Sequence, residues 1–336
     1  MGDILHALPA VTALRAAYPA AKIGWLIEER WQGLLRSTKS DGRSQQQPLV
    51  DRVHVTKMVE WRKRRIARQT REEVSTTVRG LWAEEYECAI DLQGAFRSAF
   101  FARMSRAHMV YGEYSPREWP ARLFFDQRVK TRGVHVVEQD LEVVSALAQK
   151  ELTYVPPLLP HDAEAERWAA EIAGDARSVV INPGAGWGAK CWPAERYGAV
   201  ARSLLDDGLR VVVNAGPGER ALAEKVAGVC GGAARIAECS IAELIALTRR
   251  AALMVAGDTG PLHLAAALAV PTVAIFGPTD PGRNGPFGNR SIVLRSPMSR
   301  RDHSRHSKPD LGLLTIDVEQ VIAASRSLLT SREAPR

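Results

Sequence analysis

Short apolar runs alternate with amphipathic stretches along most of the chain, and this alternation limits the fold more than any other feature. Strand-like runs fall at Lys22–Ile27, Cys88–Leu92, Ser178–Asn182, Arg210–Asn214, Ala252–Ala256 and Thr272–Phe276. Helix-like segments lie among them, at Leu5–Ala17, Phe96–Met104, Val137–Gln149, Ala163–Ala173, Ala194–Asp207, Gly218–Cys230, Ile241–Arg249 and Gly260–Leu268. Strands that alternate with helices predict parallel sheets built from βαβ units. Pro156, Pro157 and Pro160 mark Tyr154–Pro160 as a connector between domains at 1–155 and 161–314, and Asp317–Leu329 reads as a helix in a closing segment, 315–336. The chain has 336 residues, which fits two domains of roughly 150 each.

The beginning departs from the pattern. Gly2-Asp3-Ile4-Leu5-His6, followed by Leu8, Val11 and Leu14, reads as a turn entering a helix. In a βαβ unit such a turn follows a buried strand, so the expectation is a first sheet without its opening strand, and a gap there. No basic segment precedes an apolar run at the start, so no signal peptide is expected. No apolar stretch approaches the roughly 18–20 residues of a membrane span. Cys88, Cys191, Cys230 and Cys239 are scattered and form no CxxC pair, which argues against a zinc site or a disulfide framework and fits a reducing compartment.

The formal net charge of +7 is unevenly spread. Residues 57–71 carry seven basic groups against Glu60, and residues 290–308 carry six against Asp302, so the remainder of the chain has a net charge of −4. Basic patches on an acidic body attract anions: nucleic acid, anionic lipid headgroups or an acidic substrate. A solvated helix face or loop is the plainer alternative for each.

The second half holds the sharper motifs. Val179-Val180-Ile181-Asn182-Pro183-Gly184-Ala185-Gly186-Trp187-Gly188-Ala189-Lys190 is an apolar strand entering a Gly-rich turn with a lysine. Glycines let backbone N–H groups approach an anion and the lysine adds a point charge; the spacing is not that of a Walker loop. Val255-Ala256-Gly257-Asp258-Thr259-Gly260-Pro261-Leu262-His263 repeats the logic. Asp258 or Thr259 can cap the next helix, while the Thr259 and Gly260 amides face the strand's carboxyl end, where open α/β sheets bind ligands. His263 reads equally as a core histidine. With the loops after Arg210–Asn214 and after Ile275-Phe276-Gly277-Pro278-Thr279-Asp280-Pro281, four turns at one sheet edge suggest a nucleotide-diphosphate site. In the first half Asp3 is a helix-terminal carboxylate or, as a functional residue facing across a cleft toward the second domain, a general base.

Taken together, Gly2-Asp3-Ile4-Leu5-His6-Ala7-Leu8-Pro9-Ala10, Trp25-Leu26-Ile27-Glu28-Glu29, Asp91-Leu92-Gln93-Gly94, Lys190-Cys191-Trp192-Pro193, Gly257-Asp258-Thr259-Gly260-Pro261-Leu262-His263-Leu264 and Gly277-Pro278-Thr279-Asp280-Pro281-Gly282 resemble the bacterial heptosyltransferases that build the lipopolysaccharide core, glycosyltransferase family 9. Within that family the chain looks most like the enzymes that act on Kdo-modified lipid A. The resemblance implies an α/β fold of the GT-B kind, two Rossmann-like doubly wound parallel-sheet domains facing a cleft. It implies inverting transfer of heptose from ADP-heptose to Kdo of the inner core, with no cofactor and no metal.

The same resemblance implies residue roles. Asp3 is the general base. Gly184, Ala185, Gly186, Lys190, Glu219, Cys239, Asp258, Thr259, Gly260 and His263 bind the donor: Lys190 and the turn amides neutralise the diphosphate, Asp258 holds sugar hydroxyls, Glu219 takes the ribose and Cys239 lies beside adenine. His6, Arg62, Lys63, Arg64, Gln93 and Arg117 belong to the acceptor side, the basic trio in a helix over the anionic acceptor. Partners implied are ADP-heptose, Kdo–lipid A and the anionic inner-membrane surface, with a cytoplasmic, peripheral location and no nucleic acid.

Some features depart from the family. A first strand is expected to be missing, Gln45-Gln46-Gln47-Pro48 reads as a loose loop, and 296–308 is more basic than the family pattern requires. His303 and His306 in that loop are a weak metal signal. Three alternatives remain at this level: a related transferase with another donor or acceptor, an inactive relative, and a nucleic-acid-binding protein prompted by the basic patches. The last lacks aromatic platforms for single strands and any reader motif.

Overall fold

The computed structural model describes residues 1–37, 42–64, 67–302 and 307–330. His303 and His306, named above, and Arg65 and Arg305 of the two basic stretches lie outside the described residues. The chain divides into two units, Asp3–Pro160 and His161–Arg336.

In the first unit, α1 (Gly2–Ala17) leads to β1 (Gly24–Glu28), β2 (Arg52–Thr56), α2 (Met58–Lys63), α3 (Arg68–Trp82), β3 (Cys88–Asp91), α4 (Phe96–Met104), β4 (Met109–Glu113), β5 (Gln127–Val129) and α5 (Val136–Ala148). All pairings are parallel, but they form two sheets: β1 with β2, and β3-β4-β5. Among the described residues β1 does not pair with β3. Side chains join the two sheets. Val74, Val78 and Leu81 of α3 pack with Leu26 of β1 and with Phe101 and Met104 of α4. Tyr86, just before β3, lies against Gly24 of β1 where a Cβ would sit, and its hydroxyl meets Nε2 of His54 in β2 at 2.9 Å.

The second unit holds α6 (Ala163–Ala173), β6 (Ser178–Asn182), α7 (Ala194–Asp206), β7 (Arg210–Ala215), α8 (Arg220–Val229), β8 (Arg235–Glu238), α9 (Ile241–Arg250), β9 (Ala251–Gly257), α10 (Gly260–Ala267), β10 (Thr272–Phe276), α11 (Pro281–Asn284), β11 (Ser291–Arg295) and α12 (Val318–Thr330). Its six strands form one parallel sheet in the order β11-β10-β9-β6-β7-β8. Successive strand residues point to opposite faces. Val179, Ile181, Val211, Val213, Leu253 and Val255 therefore pack with α7, α8 and α12. Val180, Val212, Met254 and Ala256 pack with α6, α9 and α10 on the other face. Central strands covered on both faces read as continuous apolar runs, which is why β6, β7, β9 and β10 stood out in the sequence.

The strands that the sequence did not announce are β2, β4, β5, β8 and β11. Four of them lie at a sheet edge, where one ladder face is open and polar residues intrude, as in Arg-Ile-Ala-Glu of β8. The fifth, β4, carries Gly112 because the Phe125 ring fills the space of a side chain. The basic stretch 57–71 divides between α2 and α3, so Arg62 and Lys63 end a short helix and Arg64 follows it. The closing helix α12 packs on α7 and on β9–β11 of the second unit. Among the described residues no helix is long and apolar enough to cross a membrane.

Candidate active site

The strand order reverses between β6 and β9, and a doubly wound sheet binds ligands outside the strand carboxyl ends at such a switch point. The loop after β6 turns at Lys190, and β9 ends at Gly257, immediately before Asp258. The Lys190 ammonium and Asp258 Oδ2 are directly bonded, with only 10% and 7% of their side chains exposed. Thr279 donates to the same oxygen at 2.7 Å, and Nε2 of His263 meets Oδ1 at 3.1 Å. Burial pushes the Asp258 carboxyl up, but the bond and charge of His263 and the Lys190 ammonium outweigh it and hold the group below the ordinary carboxylate range. The Lys190 ammonium also lies 4.1 Å from the Trp187 ring centre.

Capping is therefore not the role of Asp258. Thr259 occupies the N-cap position of α10, yet its hydroxyl bonds Gly257 O at 3.2 Å and makes no side-chain cap. No side-chain cap covers the α10 N-terminus, which leaves the Gly260 amide to meet an anion. The Gly184 turn sits against Glu219, whose carboxylate fills the space of a Gly184 side chain and accepts the Gly216 N–H at 3.0 Å. Gly184 is buried, Ala185 half-buried and Gly186 exposed.

A buried polar chain runs along the same sheet edge. Cys239 donates to Asn214 Oδ1 at 3.2 Å, and Asn214 Nδ2 donates to Asn182 Oδ1 at 2.7 Å. Asn182 Nδ2 donates to Gly184 O at 3.1 Å and to Thr259 Oγ1 at 3.4 Å. Four neighbouring strand ends, those of β8, β7, β6 and β9, thus share one network that fixes the Gly184 turn and Thr259. Burial pushes the Cys239 thiol up to about 12, so it serves as a neutral polar contact rather than a nucleophile. Sequence reading missed Asn182 and Asn214. Their signal was a repeated ending, Val-Val-Ile-Asn and Val-Val-Val-Asn, with a polar residue closing each of two buried strands.

In the first unit the structure brings Asp3, Gln93 and Arg117 together. Asp3 lies in the first turn of α1, and its Oδ2 takes Arg117 Nη1 at 3.2 Å and Gln93 Nε2 at 3.5 Å. The Asp91-Leu92-Gln93-Gly94 motif explains the placement. Buried Asp91 accepts the amides of Gln93 and Gly94 at 3.0 and 3.2 Å. Gly94 has φ +64°, and a Cβ there would meet the Arg117 backbone nitrogen at 2.8 Å. Only glycine permits both the left-handed turn and the close approach.

One acceptor-side expectation, His6, is placed in the core of its unit. His6 points into the first unit, where it is buried edge-on to His135 at 5.6 Å between ring centres, because the α1 face that carries it lines the core. Glu28 is structural: its carboxylate accepts the Met58 N–H at 2.8 Å and the Val59 N–H at 3.2 Å at the start of α2. Arg62, Lys63 and Arg64 are exposed, while Trp61 anchors their helix by donating to Glu73 at 2.7 Å. Among the described residues no group of three or more His, Cys, Asp or Glu is placed to hold a metal ion.

Two α/β units, one of them doubly wound with polar groups gathered at its strand ends, follow the plan of a GT-B glycosyltransferase. A solved structure shares the fold from end to end: E. coli heptosyltransferase WaaC with ADP matches at TM-score 0.77 and 26% identity, over 98% of this chain and 97% of its own. The sequence carries the class further. The profile of glycosyltransferase family 9 (heptosyltransferase) matches residues 74–312, and the chain belongs to that family. Similar relatives include lipopolysaccharide heptosyltransferase 1 of Pseudomonas aeruginosa, 30% identical over 88% of this chain and 81% of its own. The protein of the same name in E. coli K12 is 29% identical over 88% of this chain and 91% of its own.

Proposed function

We propose that this glycosyltransferase moves heptose from ADP-heptose to a Kdo hydroxyl of Kdo–lipid A, with inversion, at the cytoplasmic face of the inner membrane. The observation that carries the donor half is the buried Lys190–Asp258 pair at the β6/β9 switch point, beside the uncapped N-terminus of α10. The relatives' names, lipopolysaccharide heptosyltransferase 1, support the sugar and the acceptor, and the E. coli relative solved with ADP supports the nucleotide.

The chemistry follows from the groups present. A carboxylate has about four lone-pair positions. His263, Lys190 and Thr279 occupy three on Asp258, which leaves one for a sugar hydroxyl. Lys190 and the Thr259 and Gly260 amides offset the charge that grows on the leaving ADP, a role that calls for no metal. Asp3 takes the proton of the acceptor hydroxyl as its oxygen bonds the anomeric carbon and the bond from that carbon to ADP breaks. Arg117 and Gln93 orient Asp3. Arg62, Lys63 and Arg64 attract the anionic acceptor. Glu219 and Cys239 serve the ribose and adenine.

Single-turnover release of ADP from ADP-heptose with Kdo–lipid A tests this reading. Release is expected to require the acceptor, to persist in EDTA, and to fall about 10²–10⁴-fold in Asp3→Asn. Acceptor-dependent release that Asp3→Asn leaves unchanged would remove Asp3 from the role of base. Release only with a different acceptor would move the chain to another member of the family.

A further inference from the structure

Residues 96–132 hold eight Lys or Arg against three Asp or Glu, a third basic stretch beyond the two seen in the sequence charge runs. Its structure differs from theirs. In the first unit α4 packs on a 3-10 turn, Trp119–Phe124, with the Phe96 and Phe100 rings edge-on to Phe124 at 5.4 and 6.2 Å between centres. This packing leaves four large apolar side chains outward: Trp119 is 66% exposed, Leu123 65%, Phe96 44% and Phe100 37%. Twelve large apolar side chains are exposed among the described residues, so a third of them fall on these two short elements. Apolar surface gathered in this way marks an interaction site rather than chance exposure.

The surrounding charge selects the partner. Arg97 is exposed on α4 between Phe96 and Phe100, and Arg128 and Lys130 are exposed in and just after β5. The Tyr114 ring gathers two cations beside the turn, Arg122 at 3.9 Å and Lys130 at 5.1 Å from its centre. Among the described residues the ion pairs of this stretch belong to Arg103 with Asp126 and Arg117 with Asp3, so these other cations have no carboxylate partner.

We propose that the face formed by α4 and the Trp119–Phe124 turn docks on an anionic lipid bilayer. Trp119, Leu123, Phe96 and Phe100 enter the boundary between headgroups and acyl chains, and Arg97, Arg128 and Lys130 lie over lipid phosphates. Tryptophan favours that boundary and clustered Lys and Arg favour its negative charge. A single-stranded nucleic acid would match the charge, but Leu123 offers no ring for a base to stack on and is as exposed as Trp119. The face adjoins the acceptor cluster, since Trp119 follows Arg117 by two residues. It deepens the reading of a lipid-borne acceptor but is inferred from the surface alone.

Co-sedimentation of the full chain with large vesicles tests the proposal. The probes are phosphatidylcholine alone and phosphatidylcholine with about one third phosphatidylglycerol. Binding to the anionic vesicles is expected to exceed binding to the neutral ones by at least about tenfold and to weaken with salt. Trp119→Ser/Leu123→Ser should lower it at least about tenfold, with unchanged circular dichroism and thermal unfolding, because both residues are exposed. Arg97→Gln/Arg128→Gln/Lys130→Gln should remove the preference for anionic vesicles. Equal binding to both vesicle types, or equal binding by the Trp119/Leu123 variant and the parent chain, overturns the proposal. So does binding to an RNA oligomer but not to vesicles. Vesicle binding without ADP release would fail the transferase reading alone, and ADP release without vesicle binding would fail this one alone.

Discussion

Each unit holds one carboxylate–cation pair at its candidate site, and the two pairs are built in opposite ways. In the second unit Lys190 and Asp258 are 10% and 7% exposed, and the carboxylate has two further hydrogen-bond partners. In the first, Arg117 and Asp3 are 60% and 57% exposed and meet at 3.2 Å. The surroundings differ in the same sense: β6 is buried along its whole length, whereas β1 has one buried residue of five. A buried pair is fixed before any ligand arrives, because its carboxylate cannot turn to water. An exposed pair is nearly free to exchange partners. The second unit's pair is preorganised, and the first unit's carboxylate stays accessible.

Removing the cation from each pair measures that contrast directly. Lys190→Ala leaves Asp258 short of its main counter-charge and is expected to cost about 3–5 kcal/mol of stability in urea unfolding. Arg117→Ala is expected to cost less than about 1 kcal/mol. Similar losses at both sites would break the comparison. The pH dependence has a definite sign. The Asp258 carboxyl is held below its ordinary value in the folded state, so its contribution is complete above the ordinary carboxylate range and is lost as pH falls through and below that range. The stability gap between the parent chain and Asp258→Asn should therefore be widest near neutral pH and shrink below about pH 4.

The next effect is smaller. Asn214→Ala removes the donor to Asn182 and the acceptor for Cys239 while leaving the Lys190–Asp258 pair intact. A loss of about 1–3 kcal/mol in stability is expected, together with a rise in donor KM and no change in acceptor KM. A change confined to stability would make the asparagine chain a packing device only.

The smallest expected effect is on the first unit's surface. Arg62, Lys63 and Arg64 replaced together by Ala should leave stability within about 0.5 kcal/mol and raise acceptor KM more than donor KM. Equal rises in both constants would contradict the assignment of α2 to the acceptor.

The two units also differed in how much their sequences revealed. The second unit's central strands are continuous apolar runs because helices cover both faces, and each ends in a turn that carries candidate site residues. Lys190, Asp258 and His263 were therefore legible, although nothing in their spacing showed that they would bond one another. Thr279 lay in a quoted motif, but its bond to Asp258 depends on the adjacency of β9 and β10, which only the fold supplies. In the first unit the edge strands β2 and β5 carry Arg with His or Gln, and the central β4 carries Gly112 and Glu113, so alternation was weak and all three escaped notice. Asp3, Gln93 and Arg117 lie far apart in the chain; the Gly94 turn brings Gln93 and Arg117 together, and α1 brings Asp3 to them. The third basic stretch went unseen because its charges are spaced between aromatic residues rather than run together, and the clustering that gives it meaning exists only on the folded surface.

The central claim is a division of labour: the second unit holds the nucleotide and the first supplies the base. Calorimetric titration of ADP into the parent chain, Lys190→Ala and Asp3→Asn tests it most directly, with thermal unfolding confirming that each variant is folded. Lys190→Ala is expected to weaken ADP binding about 10–100-fold, the worth of one charge-assisted contact to phosphate. Asp3→Asn should bind ADP as the parent chain does, although it has lost turnover. ADP affinity that falls equally in both variants, or that survives the loss of Lys190, would contradict the account.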